Sequence, residues 1–160
     1  GTWPVRTHAL QAGDQHPLGI GAGSLAMLAA LGDDEVEAMI EANRSILAES
    51  YPSYTPASLR TDVAQARAQG FSLNPGRMVA SSWGIGVAVR FPDRRVAGAL
   101  SIAAIDARMR PQRQEELAVQ LRHEAKQVEQ RLAAMLGRNQ FLHVPPEAPA
   151  RAPKQPAETN

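Results

Sequence analysis

Gly84-Ile85-Gly86-Val87-Ala88-Val89-Arg90-Phe91-Pro92-Asp93-Arg94-Arg95-Val96-Ala97-Gly98-Ala99-Leu100-Ser101-Ile102 is the stretch on which the fold turns. Two strand-like runs, 85–91 and 96–102, flank the linker Pro92-Asp93-Arg94-Arg95, and together they read as a hairpin. A hairpin pairs its strands antiparallel. Helical patterns interleave with strands over the rest of the chain, so the expected class is α+β: a curved antiparallel sheet with helices packed against it. The first of the two runs alternates poorly and is rich in Gly and Ala. It is expected to lie directly under another element.

Upstream, His16-Pro17-Leu18-Gly19-Ile20-Gly21-Ala22-Gly23-Ser24-Leu25-Ala26-Met27-Leu28-Ala29-Ala30-Leu31 runs tiny residues into an apolar, helix-favouring segment. A helix is expected over about 21–30. Small residues at its start leave the first N–H groups uncovered, and such a start can take a carboxylate or phosphate. The same residues would equally serve close packing on a sheet. Gly32 breaks the pattern, with Asp33 expected to cap a second helix bearing Val36, Met39 and Ile40 on one face. Residues 43–54 read as irregular. Thr55-Pro56 is a cap followed by Pro at the first helical position, and Leu59, Val63 and Ala66 give the stripe that Gly70 ends. Phe71-Ser72-Leu73 reads as a short strand and Asn74-Pro75-Gly76-Arg77 as a turn. Pro111 opens a long helix with Leu117, Leu121, Ala125, Val128, Leu132 and Met135 on one face, and Gly137 is its expected stop. Residues 3–10 form a further strand candidate, with Val5, Thr7 and Ala9 on one face. Residues 1–140 are expected to form one domain. Residues 141–160 are Pro/Ala-rich and, from Pro145 onward, read as a disordered tail.

Composition narrows the function. Seventeen Lys and Arg against sixteen Asp and Glu leave a net charge of +1, which is no electrostatic footprint for nucleic acid. With no cysteine, disulfide and thiolate chemistry are excluded, and a cytoplasmic location fits. No apolar run reaches the ~20 residues of a membrane helix. His8, His16, His123 and His143 lie far apart and lack ligand spacing, so no metal is expected. No Gly-x-Ser-x-Gly elbow is present, and no acid–base pair suggests a catalytic residue. Gly19-x-Gly21-x-x-Ser24 approaches the dinucleotide fingerprint, but the strand before it and the acidic strand end after it are missing, so no cofactor is expected. What remains is a possible small-molecule hollow. Gly84 and Gly86 remove side-chain volume from a strand. Gly23 and Ser24 open a helix, Ser101 sits in an apolar strand, and Asn74 and Arg77 lie in the turn just before. The alternative is a set of packing glycines and a core serine.

Three blocks, taken in order, resemble one family. They are His16 to Leu31; Tyr54-Thr55-Pro56 through Gly70-Phe71; and Gly84-Ile85-Gly86-Val87-Ala88-Val89 with Val96-Ala97-Gly98-Ala99-Leu100-Ser101-Ile102. The chain is similar to the effector-binding C-terminal domain of the IclR family of bacterial transcriptional regulators, over about residues 5–136. The resemblance implies a GAF-like sensor domain and a ligand held between the helix start and the sheet. It implies no enzymatic activity, and a homodimer or homotetramer. It also implies a winged helix-turn-helix domain that contacts DNA and is absent from these residues. Departures from the family pattern are specific. Ser24-Leu25 stand where a Lys is common, Asn74 where an acid is frequent, Gly84 where a Cys is frequent, and Ala103 where a second Ser is usual; Ser101 is kept. The expected ligand-binding set is Gly23, Ser24, Asn74, Arg77, Gly84, Ser101 and Ala103. The implied ligand is a larger, partly apolar or aromatic metabolite whose carboxylate meets Arg77 or the N–H groups near Gly23. A small-molecule enzyme and a purely structural dimerisation domain are the competing readings.

Overall fold

The strand formed by Ser82–Arg90 has two very unequal faces, and this difference sets the layers. Ile85, Val87 and Val89 point one way and are buried. Gly84, Gly86 and Ala88 alternate with them and point the other way. A computed structural model describes residues 15–141, with side chains through Gly137. Its elements are α1 (Ala22–Ala29), α2 (Asp33–Ala42), α3 (Arg44–Ser50), α4 (Pro56–Gln69), β1 (Ser72–Pro75), β2 (Ser82–Arg90), β3 (Val96–Ile105), a single 3-10 turn at Asp106–Arg108, and α5 (Pro111–Phe141). The described strands form one antiparallel sheet in the order β1-β2-β3. The α+β class, with helices flanking an antiparallel sheet, is as expected.

The branched face of β2 packs on α5. Phe71, Ile85, Val87, Val89, Met109, Leu117, Ala118, Leu121 and Ala125 form one core there. The glycine face receives α1. Gly86 lies so close to the start of α1 that an added Cβ would sit 2.7 Å from the Ala22 carbonyl oxygen. Only a residue without a side chain permits that approach. Buried Ser72 fastens the contact, its Oγ donating to the Ala22 O at 2.6 Å and lying 3.2 Å from the Gly86 O. The Gly/Ala-rich strand therefore does lie directly under another element. Beyond α1, a second core joins Leu25, Leu28, Val36, Ile40, Leu47, Tyr54, Leu59 and Val63 from the helical layer.

Two arginines hold the far end of α1. Arg67 of α4 donates through Nε to the Ala29 O at 2.9 Å and through Nη2 to the Leu31 O at 2.7 Å, and it pairs with Asp33. Arg90 at the end of β2 donates through Nη2 to the Ala30 O at 2.7 Å and through Nη1 to the Arg94 O at 2.8 Å. The Arg90 backbone N–H donates to Glu129 Oε1 of α5 at 2.8 Å. Cations at a helix C-terminus complement its dipole, and α1 carries none of its own.

Several boundaries differ from expectation. Residues 44–50 form helix α3 rather than irregular chain, because Leu47 fits into the helical core at 1% exposure. Gly32, not Asp33, occupies the cap of α2, and the Gly32 N–H donates to Glu35 Oε2 at 3.0 Å. The turn after β1 starts two residues late. Asn74 and Pro75 still pair with Gly84 and Trp83, and Gly76, at φ 68°, begins the reversal. The hairpin strands run to Ile105, beyond the expected end. α5 passes through Gly137 to Phe141, because Gly137 does not take the left-handed conformation that would end the helix there. Thr55 and Gly70 behave as read: Thr55 Oγ1 accepts the Ser58 N–H at 3.1 Å, and Gly70 closes α4 at φ 77°. The strand candidate at 3–10 and the tail from Pro145 lie outside the described residues.

Candidate functional site

The eight residues of α1 include no charged side chain, and no side chain caps its start. Gly21 occupies the cap at φ 82°, a conformation that favours glycine. The first intrahelical bond runs from the Leu25 N–H to the Gly21 O at 2.9 Å. The N–H groups of Ala22, Gly23 and Ser24 thus precede the helical ladder. Ser24 turns back on the entry loop, its Oγ accepting the Gly19 N–H at 2.9 Å. The serine hydroxyl shapes the loop and leaves the helix start without a side-chain cap.

A hollow of about 690 Å³ opens at this helix start, within the size range of small-molecule sites. Gly21, Ala22, Gly23 and Ser24 form one wall, and Gly84, Ala99, Ser101 and Ala103 on β2 and β3 form the opposite one. Asn74 closes the β1 side. Glycines let these walls meet closely at the inner end of the hollow. A Cβ on Gly23 would lie 3.2 Å from Ser101 Oγ, and one on Gly84 would lie 3.0 Å from the Ala22 Cβ.

The structure brings Gly23, Ser24, Asn74, Gly84, Ser101 and Ala103 to this one hollow. Arg77 is not among its walls. The Arg77 guanidinium makes a two-pronged contact with Asp62 of α4, Nη2 lying 2.8 Å from Oδ1, and it stacks over the Tyr54 ring at 5.4 Å. Arg77 was expected to face a ligand because it follows the β1 turn. The delayed reversal carries it back over α4 instead. Among the described residues the lining consequently holds no Asp, Glu, Lys or Arg.

Sequence reading missed Met27, Met78, His16 and Trp83 at the hollow's edge. Their types carry no ligand signature, and only the loop path shows them. It also missed Tyr54, which is 4% exposed and stands behind Asn74, its hydroxyl donating to Asn74 Oδ1 at 2.9 Å. Burial pushes the Tyr54 phenol above its ordinary range. Among the described residues no cluster of His, Asp and Glu could hold a metal ion, and no helix is long and apolar enough to cross a membrane.

An uncapped helix start laid on the small-residue face of an antiparallel sheet, with a hollow opening beside the contact, describes a binding domain. Comparison with known proteins makes this specific. The family model described as "Bacterial transcriptional regulator IclR C-terminal" matches residues 5–130, and the chain belongs to that family. Among solved structures, the Agrobacterium tumefaciens repressor BlcR aligns at a TM-score of 0.64 and 21% identity, covering 79% of this chain and 52% of its own. The C-terminal domain of the Escherichia coli transcriptional regulator KdgR aligns at 0.64 and 24% identity, covering 75% and 73%. An IclR-type regulator from Silicibacter sp. aligns at 0.60 and 28% identity, covering 73% and 46%. The chain spans about half the length of the full regulators among these. A search of curated protein sequences gives no match. The family and its structural neighbours are transcriptional regulators rather than enzymes.

Proposed function

We propose that this chain is the effector-sensing part of an IclR-type transcriptional regulator, and that its hollow binds a small organic metabolite carrying a carboxylate or an aromatic group. The observation that carries this reading is the convergence of the α1 start, Asn74 and Ser101 on one neutral space of about 690 Å³. Three backbone donors and the positive end of the helix dipole attract an anion there without a charged side chain. The glycines leave room for an apolar or aromatic body beside it. The parent protein acts in the bacterial cytoplasm as a homodimer or homotetramer. Its DNA contacts belong to a winged helix-turn-helix domain outside these residues. A ligand that binds one arrangement of the assembly better shifts the population toward it and so controls DNA binding.

Calorimetric titration with a panel of aromatic and aliphatic carboxylates tests the reading. Ser101→Ala is expected to weaken the best ligand by about 0.5–1.5 kcal/mol, the worth of one neutral hydrogen bond. Gly84→Leu is expected to abolish binding by filling the space, although its Cβ must first displace Ala22 by a few tenths of an ångström. Full affinity in a Gly84→Leu protein with native circular dichroism would refute this location.

A further inference from the structure

The Tyr54 phenol decides how Asn74 presents its side-chain amide to the hollow. Its hydroxyl donates to Asn74 Oδ1 at 2.9 Å. A phenol has a single proton. That proton goes to Asn74, which offers its carbonyl side to receive it. The amide NH2 is therefore turned away from Tyr54. Asn74 lines the hollow and pairs in register with Gly84. Arg77, stacked on the back of the Tyr54 ring and held by Asp62, keeps the phenol in place without entering the space itself.

We propose that Tyr54 is a positioning residue that presents the Asn74 NH2 to the hollow, so that the site selects ligands bearing an acceptor oxygen, a carboxylate first, over ligands of similar shape bearing a donor. The inference rests on the hollow being the ligand site. A donor group aimed at the Asn74 NH2 leaves both without each other as partners, and sites built around a fixed hydrogen-bond polarity reject the wrong polarity strongly. Among the described lining residues no Asp, Glu, Lys or Arg side chain adds to this selection.

Two measurements test it. Neutron diffraction from the deuterated 160-residue chain without ligand locates the deuterons directly. The expected result is the Tyr54 deuteron directed at Asn74 Oδ1 and both amide deuterons facing the hollow. Amide deuterons directed at the phenol oxygen would overturn the proposal. Calorimetry then compares benzoate with benzylamine, two probes of similar shape and opposite polarity, in the parent chain, Tyr54→Phe and Asn74→Asp, each checked for native circular dichroism. The parent is expected to prefer benzoate by about tenfold or more. Tyr54→Phe keeps the ring and its stacking, yet frees the amide to rotate, and is expected to narrow the preference several-fold through weaker benzoate binding. Asn74→Asp is expected to reverse it. A full preference retained in Tyr54→Phe also overturns the proposal. Deuterons placed as described with neither probe bound would refute the hollow as a ligand site, and with it the selection.

Discussion

Gly86→Ala tests the closest approach in the molecule. The added methyl would lie 2.7 Å from the Ala22 O, 2.8 Å from the Ala22 carbonyl carbon and 3.0 Å from the Gly23 N, all of them backbone atoms that no rotamer change can remove. Ordinary carbon–carbon contact is about 3.5 Å, so the start of α1 must retreat by roughly 0.7 Å. Overpacking of this kind costs about 1–3 kcal/mol. The retreat also stretches the bond from Ser72 Oγ to the Ala22 O, now 2.6 Å long, at a cost of up to ~1 kcal/mol. Replacing Gly in a strand returns about 0.5–1 kcal/mol of chain entropy. The net expectation is a loss of about 1–3 kcal/mol. Urea unfolding followed by circular dichroism measures it as a lower midpoint at constant slope. Gly98→Ala is the matched control on the neighbouring strand: nothing lies within 4 Å of its Cβ, so it should be neutral or slightly stabilising. A Gly86→Ala protein as stable as the parent would mean that α1 does not rest on β2.

Tyr54 gives a pH dependence with a definite sign. Burial raises its folded-state pKa, so above about pH 10 the unfolded chain releases a phenol proton that the folded chain keeps. Stability contributed by the neutral phenol is full below that pH and is lost as pH rises toward the folded pKa. Urea midpoints between pH 9 and 11 should fall less steeply in Tyr54→Phe, and identical slopes would show that the phenol titrates normally. Arg77→Met strands the Asp62 carboxylate, whose side chain is 10% exposed, and should cost about 1–3 kcal/mol, reduced from the fully buried case because Arg77 itself is partly exposed. Arg77→Met with Asp62→Leu should recover most of that loss in thermal melts. Thr55→Ala removes the α4 cap and should cost about 1 kcal/mol by the same measurement.

Features decided by local chemistry were legible in the sequence. Thr55-Pro56 and Gly70 bound α4 because a cap hydroxyl, a fixed proline φ and a left-handed glycine act within a few residues of themselves. The face-by-face difference along β2 was also visible, since a strand with Gly at 84 and 86 can only be covered by something very near. Features decided across the chain were not. Leu47 makes 44–50 a helix through a core that the local sequence does not display. Gly137 stays inside α5 because the ~1 kcal/mol it costs is absorbed by the long helix around it. Of the candidate site, the glycines and Ser101 were legible because lost volume and an isolated hydroxyl stand out in an apolar strand. Arg77 was misplaced because its partner, Asp62, lies on another element, and Tyr54 escaped notice because its role depends on Asn74 lying beside it.

The two arginines at the far end of α1 bear on how variation in this protein would be read in a genetic screen. A helix of eight residues is too short to persist without support, and Arg67 and Arg90 bind the carbonyls of Ala29, Ala30 and Leu31 that end it. Neither side chain touches the hollow, yet both fix the segment whose first turn walls it. Alleles selected for altered effector response should therefore include substitutions at these partly solvent-exposed positions. A laboratory that sequenced only codons for lining residues would overlook them. Random mutagenesis across the whole domain is the better library, and Arg90, which also reaches the hairpin turn and α5, is the position in it to follow first.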